Sequence, residues 1–168
     1  MNNNNFEIER KFLIKYPDMV MLESCAEGTE IIQTYLLSET KGETARVRKR
    51  GSGGAYTYTH TVKTRVSDMR KVEIEREVPE EEYASLLKNA DPGRRTIYKQ
   101  RWCLDYKGQM FEIDIFPFWS DRAIMEIELT DENQAVIFPP EIEIIKEVTH
   151  DRRYTNASMA KDIPEDDV

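Results

Sequence analysis

The residues most able to do chemistry in this chain are charged and recur two apart. Glu7 with Glu9, Glu73 with Glu75, Glu112 with Asp114, and Glu126 with Glu128 are carboxylate pairs at i and i+2. Arg46 with Arg48, Lys99 with Arg101, and Lys63 place cations in the same kind of register. Residues two apart on a strand share a face, so each pair presents like charges to one side. A single pair describes only a wet strand face. Repetition changes this, because several acidic strands facing one another across a lumen are costly unless cations sit between them. Oxygen ligands without clustered histidine or cysteine suit magnesium, manganese or calcium rather than zinc. Arginine and lysine rows suit phosphate oxygens, arginine by bidentate contact and lysine as a point charge. The chemistry called for is a metal-bound phosphate chain. The competing reading is a barrel with inter-strand salt bridges and no catalysis.

Other chemistries find little support. His60 and His150 lack ligand spacing and are expected to be structural or surface residues. Cys25 and Cys103 form no pattern and are expected to be small buried or half-buried side chains. The glycines of Gly51 to Gly54 lack the lysine and Ser/Thr of a phosphate-binding loop and open no helix. Tyr56, Tyr58, Trp102 and Phe111 are read as exterior packing rather than base-stacking platforms. Trp119 could cover a tunnel mouth or pack on the wall.

The elements that must position the charges are mostly strands. In Phe6 to Ile14, Glu7, Glu9 and Lys11 share a face opposite Phe6, Ile8, Arg10 and Phe12, with Arg10 the charged exception. Alternation or β-rich composition marks further strands at 30–38, 44–50, 55–64, 70–78, 94–106, 109–116 and 122–130. A short helix is expected at 18–26 after Pro17, and a better one after Pro79, where three glutamates suit a helix start. Residues 141–148 are consistent with either an extended segment or a short helix. Eight antiparallel strands without long crossover helices imply a closed or nearly closed sheet. Residues 1–160 read as a single domain, and 161–168 as a disordered acidic tail.

Composition bounds the partners. With 168 residues, 39% hydrophobic and 33% charged, the chain can bury a core but must place many charges. A formal charge of -8 argues against a duplex nucleic-acid surface. It leaves room for a small polyanion delivered with a metal. No apolar run is long enough for a membrane span, so a cytoplasmic protein is expected, as a monomer or homodimer.

Taken in order, these motifs resemble the CYTH superfamily, the triphosphate tunnel metalloenzymes. The matching residues are EIERK with Glu7, Glu9 and Lys11, RVR with Arg46 and Arg48, TVK with Lys63, and the strand carrying Glu73 and Glu75. KQR with Lys99 and Arg101, EID with Glu112 and Asp114, EIE with Glu126 and Glu128, and a C-terminal stretch with Arg153, Tyr154 and Asn156 complete the match. The short form is most similar to bacterial inorganic triphosphatases.

The resemblance implies an all-β-dominated fold, an eight-stranded antiparallel barrel with a few peripheral helices, whose tunnel takes a linear triphosphate. Lys11, Arg46, Arg48, Lys63, Lys99, Arg101 and Arg153 would grip the phosphates. Glu7, Glu9, Glu126, Glu128, Glu75 and Asp114 would hold one or two Mg2+ or Mn2+ ions. Glu7, Glu9, Lys11, Glu73, Glu75, Glu112 and Asp114 form the candidate catalytic set, with the water-orienting carboxylate open among Glu73, Glu75, Glu112 and Asp114. The implied reaction is hydrolysis of a terminal phosphoanhydride of inorganic triphosphate or a related nucleoside or thiamine triphosphate. An adenylate cyclase and a non-catalytic polyphosphate or nucleotide binding module are the alternatives.

Overall fold

The two-residue alternation becomes a set of antiparallel strands in the computed structural model, which describes residues 6–168. The strands are β1 (Phe6–Lys15), β2 (Glu27–Leu36), β3 (Glu43–Ser52), β4 (Ala55–Arg65), β5 (Arg70–Val78), β6 (Ile97–Tyr106), β7 (Gln109–Ile115) and β8 (Arg122–Leu129). They hydrogen-bond in the order β5-β4-β3-β2-β6-β7-β8-β1, and β1 returns to β5 through Phe6 with Val72, Glu7 with Lys71 and Ile8 with Arg70. This return closes an eight-stranded barrel and removes most of the free sheet edge. The seam is short. Past Ile8, the same edge of β1 turns to β9 (Ile144–Glu147), pairing Phe12 with Glu147 and Ile14 with Ile144. The segment at 141–148 is therefore extended where it meets the barrel.

The barrel is built with much of its apolar surface outside. Even-numbered β1 residues Ile8, Phe12 and Ile14 join Phe111, Ile113, Met125 and Ile127 in one buried cluster, which the chain covers with Leu22, Ile142 and Phe138. Each such large side chain contributes about 1.5–3 kcal/mol when fully buried, so the wall is stabilised from its outer face and the lumen is left for charges. Arg10, on this apolar face, is matched by Glu147 of β9, to which its Nε donates at 2.8 Å. A second cluster, Leu13, Tyr35, Ile97, Phe116, Ile124, Val148, Tyr154 and Met159, packs one end of the barrel interior against the C-terminal segment. Trp119 belongs here, in edge-on contact with Phe116 and Phe118, so it packs rather than covering a mouth.

The helices are local supports. Asp18 caps α1 (Met19–Cys25) by accepting from the amides of Val20 and Met21, and fully buried Leu22 anchors it. Cys25, expected to be at least half-buried, is exposed, because α1 presents a single buried residue. Glu80, Glu81 and Glu82 occupy the first turn of α2 (Glu80–Leu86), where the helix dipole favours them. Tyr83 and Leu86 pack it on Leu36, Ala45 and Val47, and the Tyr83 ring lies 4.8 Å from Tyr58. Lys107 and Gly108 both have positive φ, 50° and 75°, as the two-residue hairpin between β6 and β7 requires.

Several boundaries differ from the sequence expectation, among them the start of β6, at Ile97 rather than Arg94. Strand β2 begins at Glu27 rather than Glu30 because Gly28 pairs with Trp102, whose ring would lie 2.9 Å from any added Cβ. The glycine is part of the strand, making room for the indole. Residues 161–168, for which composition gives no reason to order, make specific contacts: Ile163 packs on the second cluster and Asp166 accepts from Tyr154, Arg153 and Lys146. No helix among the described residues is long and apolar enough to cross a membrane.

Candidate active site

Strand order sorts the charges. The barrel has two contiguous halves: β7, β8, β1 and β5 carry the carboxylate pairs, and β4, β3 and β6, with neutral β2 between them, carry the cations. Between the halves lies a cavity of about 620 Å³. It is lined by Glu7, Glu9 and Lys11 of β1, Arg46 and Arg48 of β3, and Lys63 of β4. Glu73 and Glu75 of β5, Lys99 and Arg101 of β6, Glu112 of β7 and Glu126 of β8 complete the expected set that reaches it.

Three expected site residues lie elsewhere. Asp114 shares the inward face of Glu112 but is fully buried beneath two lining cations, its carboxylate taken by Lys99 Nζ at 2.7 Å and by a two-pronged contact from Arg101 at 2.7 and 2.8 Å. Burial opposes ionisation there, but Arg101 and Lys99 outweigh it and hold Asp114 well below the usual carboxylate range. Both of its oxygens serve as counter-ions to Lys99 and Arg101. Arg153 is on the outside, donating to Asp151 and Asp166, because its side chain leaves a short 3-10 turn (Arg152–Tyr154) away from the lumen. Glu128 is exposed and outside the cavity lining. It remains close enough to Glu7, Glu112 and Glu9 that, after burial, their charges push its carboxyl up.

The acidic half is interlaced with lysines. Lys71 Nζ lies 2.7 Å from Glu9, Lys11 Nζ 3.3 Å from Glu126, and Lys63 Nζ 3.2 Å from Glu7 and 3.6 Å from Glu73. Burial works against ionised Glu9, yet Lys11 and Lys71 overcome it and hold the carboxyl low. Burial likewise opposes Lys11, and Glu126 and Glu9 raise it above its ordinary value. Glu7 is pushed up by burial and by the hydrogen bond it shares with Glu73, with Lys63 pulling back. Glu112 is pushed up by burial against the pull of Arg101, 2.6 Å away, with Glu126 adding to the rise. The acidic half therefore carries crowded oxygen donors whose neighbouring lysines leave charge uncompensated. That donor chemistry fits a hard divalent cation. Among the described residues no three such side chains converge closely enough to cage an ion unaided, so the remaining ligands would be water and substrate oxygens.

The basic half is short of counter-ions. Arg48 meets the neutral amide of Gln33, donating from Nε at 3.1 Å and Nη2 at 2.7 Å to Oε1. Burial, then Arg46 and Arg101, lower Arg48 to about 9. Arg46 is buried with its Nε unpartnered, and its nearest carboxylate, Glu73, stands 3.9 Å off. Burial pulls Lys99 down to about 7; Asp114 opposes this, and Arg101 and Arg48 add to it. Concentrated buried positive charge with an unused donor is an anion site.

Sequence reasoning missed several lining residues. Lys71 shares the face of Glu73 and Glu75, and Arg50 that of Arg46 and Arg48, so strand parity could have found both. Arg94, expected on a strand that in fact starts at Ile97, and Asn156, marked only by the family resemblance, both line the cavity, and Asn156 Oδ1 accepts from Lys99 at 3.2 Å.

The chain matches no family model. It is 33% identical over 162 residues to the inorganic triphosphatase of Nitrosomonas europaea, covering 94% of this chain and 99% of that protein. It is 32% identical over 156 residues to the inorganic triphosphatase of Acetivibrio thermocellus, covering 92% and 93%. A crystal structure of an inorganic triphosphatase superposes with a TM-score of 0.61 at 31% identity, covering 95% of this chain and 97% of that one. With this identity running through nearly the whole of both chains, on a barrel whose lumen brings together the paired carboxylates and cations of the motifs, the chain belongs to the family of bacterial inorganic triphosphatases, the CYTH or triphosphate tunnel fold.

Proposed function

We propose that the chain hydrolyses a terminal phosphoanhydride of inorganic triphosphate, using Mg2+ or Mn2+. The observation that carries this is the buried Arg46 and Arg48 pair, with no close carboxylate for Arg48 and a free Nε on Arg46, facing a half-barrel of oxygen donors. Inorganic triphosphatase relatives at 33% and 32% identity support it. Among the described residues lining the cavity Tyr35 is the one aromatic, so the lumen offers a phosphate chain much to bind and a nucleobase little to stack on.

In this reading Arg46, Arg48, Lys63, Lys99 and Arg101 hold the phosphate oxygens and neutralise charge that spreads over them during transfer. Lys11, pinned between Glu126 and Glu9, adds a fixed positive charge on the acidic side. Glu7, Glu9, Glu126, Glu75 and, from the rim, Glu128 are the residues that would hold the ion. When bound, it supplies Lewis-acid polarisation of phosphate oxygens. Glu73 or Glu112 accepts the proton of the attacking water. The buried lumen excludes bulk water and strengthens each of these contacts.

The test is a product panel with Mg2+ and with Mn2+ on tripolyphosphate, ATP, thiamine triphosphate and long-chain polyphosphate. Phosphate and pyrophosphate from tripolyphosphate in preference to the others is the expected result. Cyclic AMP from ATP would instead favour a cyclase, and tight binding without turnover a binding module.

A further inference from the structure

The C-terminal segment touches the tunnel through two lysines. Lys11 Nζ donates to the backbone carbonyl of Tyr154 at 3.3 Å, and Lys99 Nζ donates to the side-chain oxygen of Asn156 at 3.2 Å. Both lysines are buried, and beside their carboxylate partners Glu126 and Asp114 these two acceptors help to set where the ammonium groups point. The segment between them is short, a 3-10 turn followed by the four-residue α3 (Asn156–Met159), too little helix to hold its own shape.

What holds it from outside is one carboxylate in the tail. Asp166 Oδ2 accepts from the Tyr154 hydroxyl at 2.6 Å, from Lys146 Nζ of β9 at 2.8 Å and from Arg153 Nη2 at 2.9 Å, and Oδ1 accepts from Arg153 Nη1 at 3.1 Å. The Asp166 backbone carbonyl accepts from Arg122 at the start of β8. Ile163, packed on the end cluster, and buried Pro164 carry the tail to this point. A lone surface ion pair would contribute little. Here one carboxylate gathers three donors from two elements, and one of them is the hydroxyl of a fully buried tyrosine.

We propose that Asp166 is a positioning residue for the tunnel: through the Tyr154 hydroxyl it fixes the 152–156 turn, and through that turn the ammonium groups of Lys11 and Lys99. It touches no substrate itself. The inference rests on the reading of the cavity as a triphosphate site.

The test compares Asp166→Ala, Asp166→Glu and Tyr154→Phe with Glu165→Ala as the tail control, each in the full chain. Calorimetry gives the tripolyphosphate Kd without metal, steady-state kinetics with Mg2+ give KM and kcat separately, and hydrogen exchange reads residues 152–158. Asp166→Ala and Tyr154→Phe are expected to weaken tripolyphosphate binding and raise KM about tenfold, the scale of a charged hydrogen bond. In both, exchange rises in 152–158 and not elsewhere, Asp166→Glu recovers part of the loss, and Glu165→Ala behaves as wild type. An unchanged Kd and KM in Asp166→Ala would overturn the proposal. So would a uniform rise in exchange with a lower Tm, which marks general destabilisation. If the wild type itself neither binds nor cleaves tripolyphosphate, the functional reading falls and takes the tunnel role of Asp166 with it. Loss of binding confined to the variants overturns neither.

Discussion

Lys71 Nζ lies 2.7 Å from Glu9 Oε1, and the pair ties β5 to β1 across the seam at which the barrel closes. Backbone pairing there is only three residues long, so side chains do part of the closing. Lys71 is also, after Lys11 and ahead of Lys63, one of the cations that hold the Glu9 carboxyl low against the cost of burial.

Lys71→Gln leaves Glu9 with Lys11 and the weaker pull of Lys63, and adds one unit of negative charge to the acidic half. Tripolyphosphate affinity should fall about tenfold, the scale of one charged hydrogen bond. Affinity for Mn2+ without triphosphate should rise, since a competing cation is gone. Calorimetry with each ligand separately checks both directions; two unchanged affinities would mean that Lys71 only packs.

Asp114 separates a structural carboxylate from a ligating one. Removing one partner of a buried ion pair typically costs about 3–5 kcal/mol, because the remaining charge is stranded. Asp114→Asn leaves Lys99 without its carboxylate and Arg101 with Glu112 alone, so a large drop in the denaturation midpoint is expected. Metal affinity of the folded fraction should stay near the wild-type value. A loss of metal binding at full stability would restore Asp114 to the ligand set.

Much of the site was legible because a strand has a strict period. Parity alone puts Glu7, Glu9 and Lys11 on one side, and Arg46 with Arg48 likewise, and those residues do meet in one cavity. Parity says nothing about which strands are neighbours. The segregation of acids on β7, β8, β1 and β5 from cations on β4, β3 and β6 is a property of the closed order, set by long-range pairing. Nor does parity say how deep a residue sits. Asp114 and Glu112 share a face, yet one is walled in by Lys99 and Arg101 and the other faces the lumen. Arg153 sits on a 3-10 turn, which has no two-residue period, so parity could not say that its side chain leaves outward. The tail's composition is that of a disordered segment, and no local pattern in it signals the contacts of Asp166 with Tyr154, Lys146 and Arg153 or the packing of Ile163.

Removal of the ion should separate binding from turnover, because the two halves of the barrel do different work. With a chelator present, hydrolysis of tripolyphosphate should stop and return on adding Mg2+ or Mn2+. Tripolyphosphate should still raise the melting temperature without metal, since Arg46, Arg48 and Arg101 need no ion to meet phosphate; a ligand at 100 times its Kd adds about 2.7 kcal/mol. Glu9→Gln and Glu126→Gln should lower metal-dependent turnover at least about a hundredfold, while keeping the thermal shift by tripolyphosphate. Full activity in either variant would remove that residue from the metal set.

Lys99 sets a pH dependence for substrate binding. Its ordinary value is 10.5, and burial with Arg101 and Arg48 nearby brings it to about 7 despite Asp114. A phosphate chain in the lumen favours the charged form, so the bound state holds a proton that the free protein has begun to release above pH 7. Between about pH 7 and 10 binding must then take up a proton, and affinity falls as pH rises, by at most about tenfold per unit. Below pH 7 both states are protonated at Lys99 and this contribution levels off. Calorimetry of tripolyphosphate binding at pH 8.5, in buffers of different ionisation heat, should detect the proton taken up. Lys99→Arg keeps the charge at every pH in this range, so it should flatten the part of the profile that belongs to Lys99. An identical profile in Lys99→Arg would show that the pH dependence arises in the phosphate chain and not in the protein.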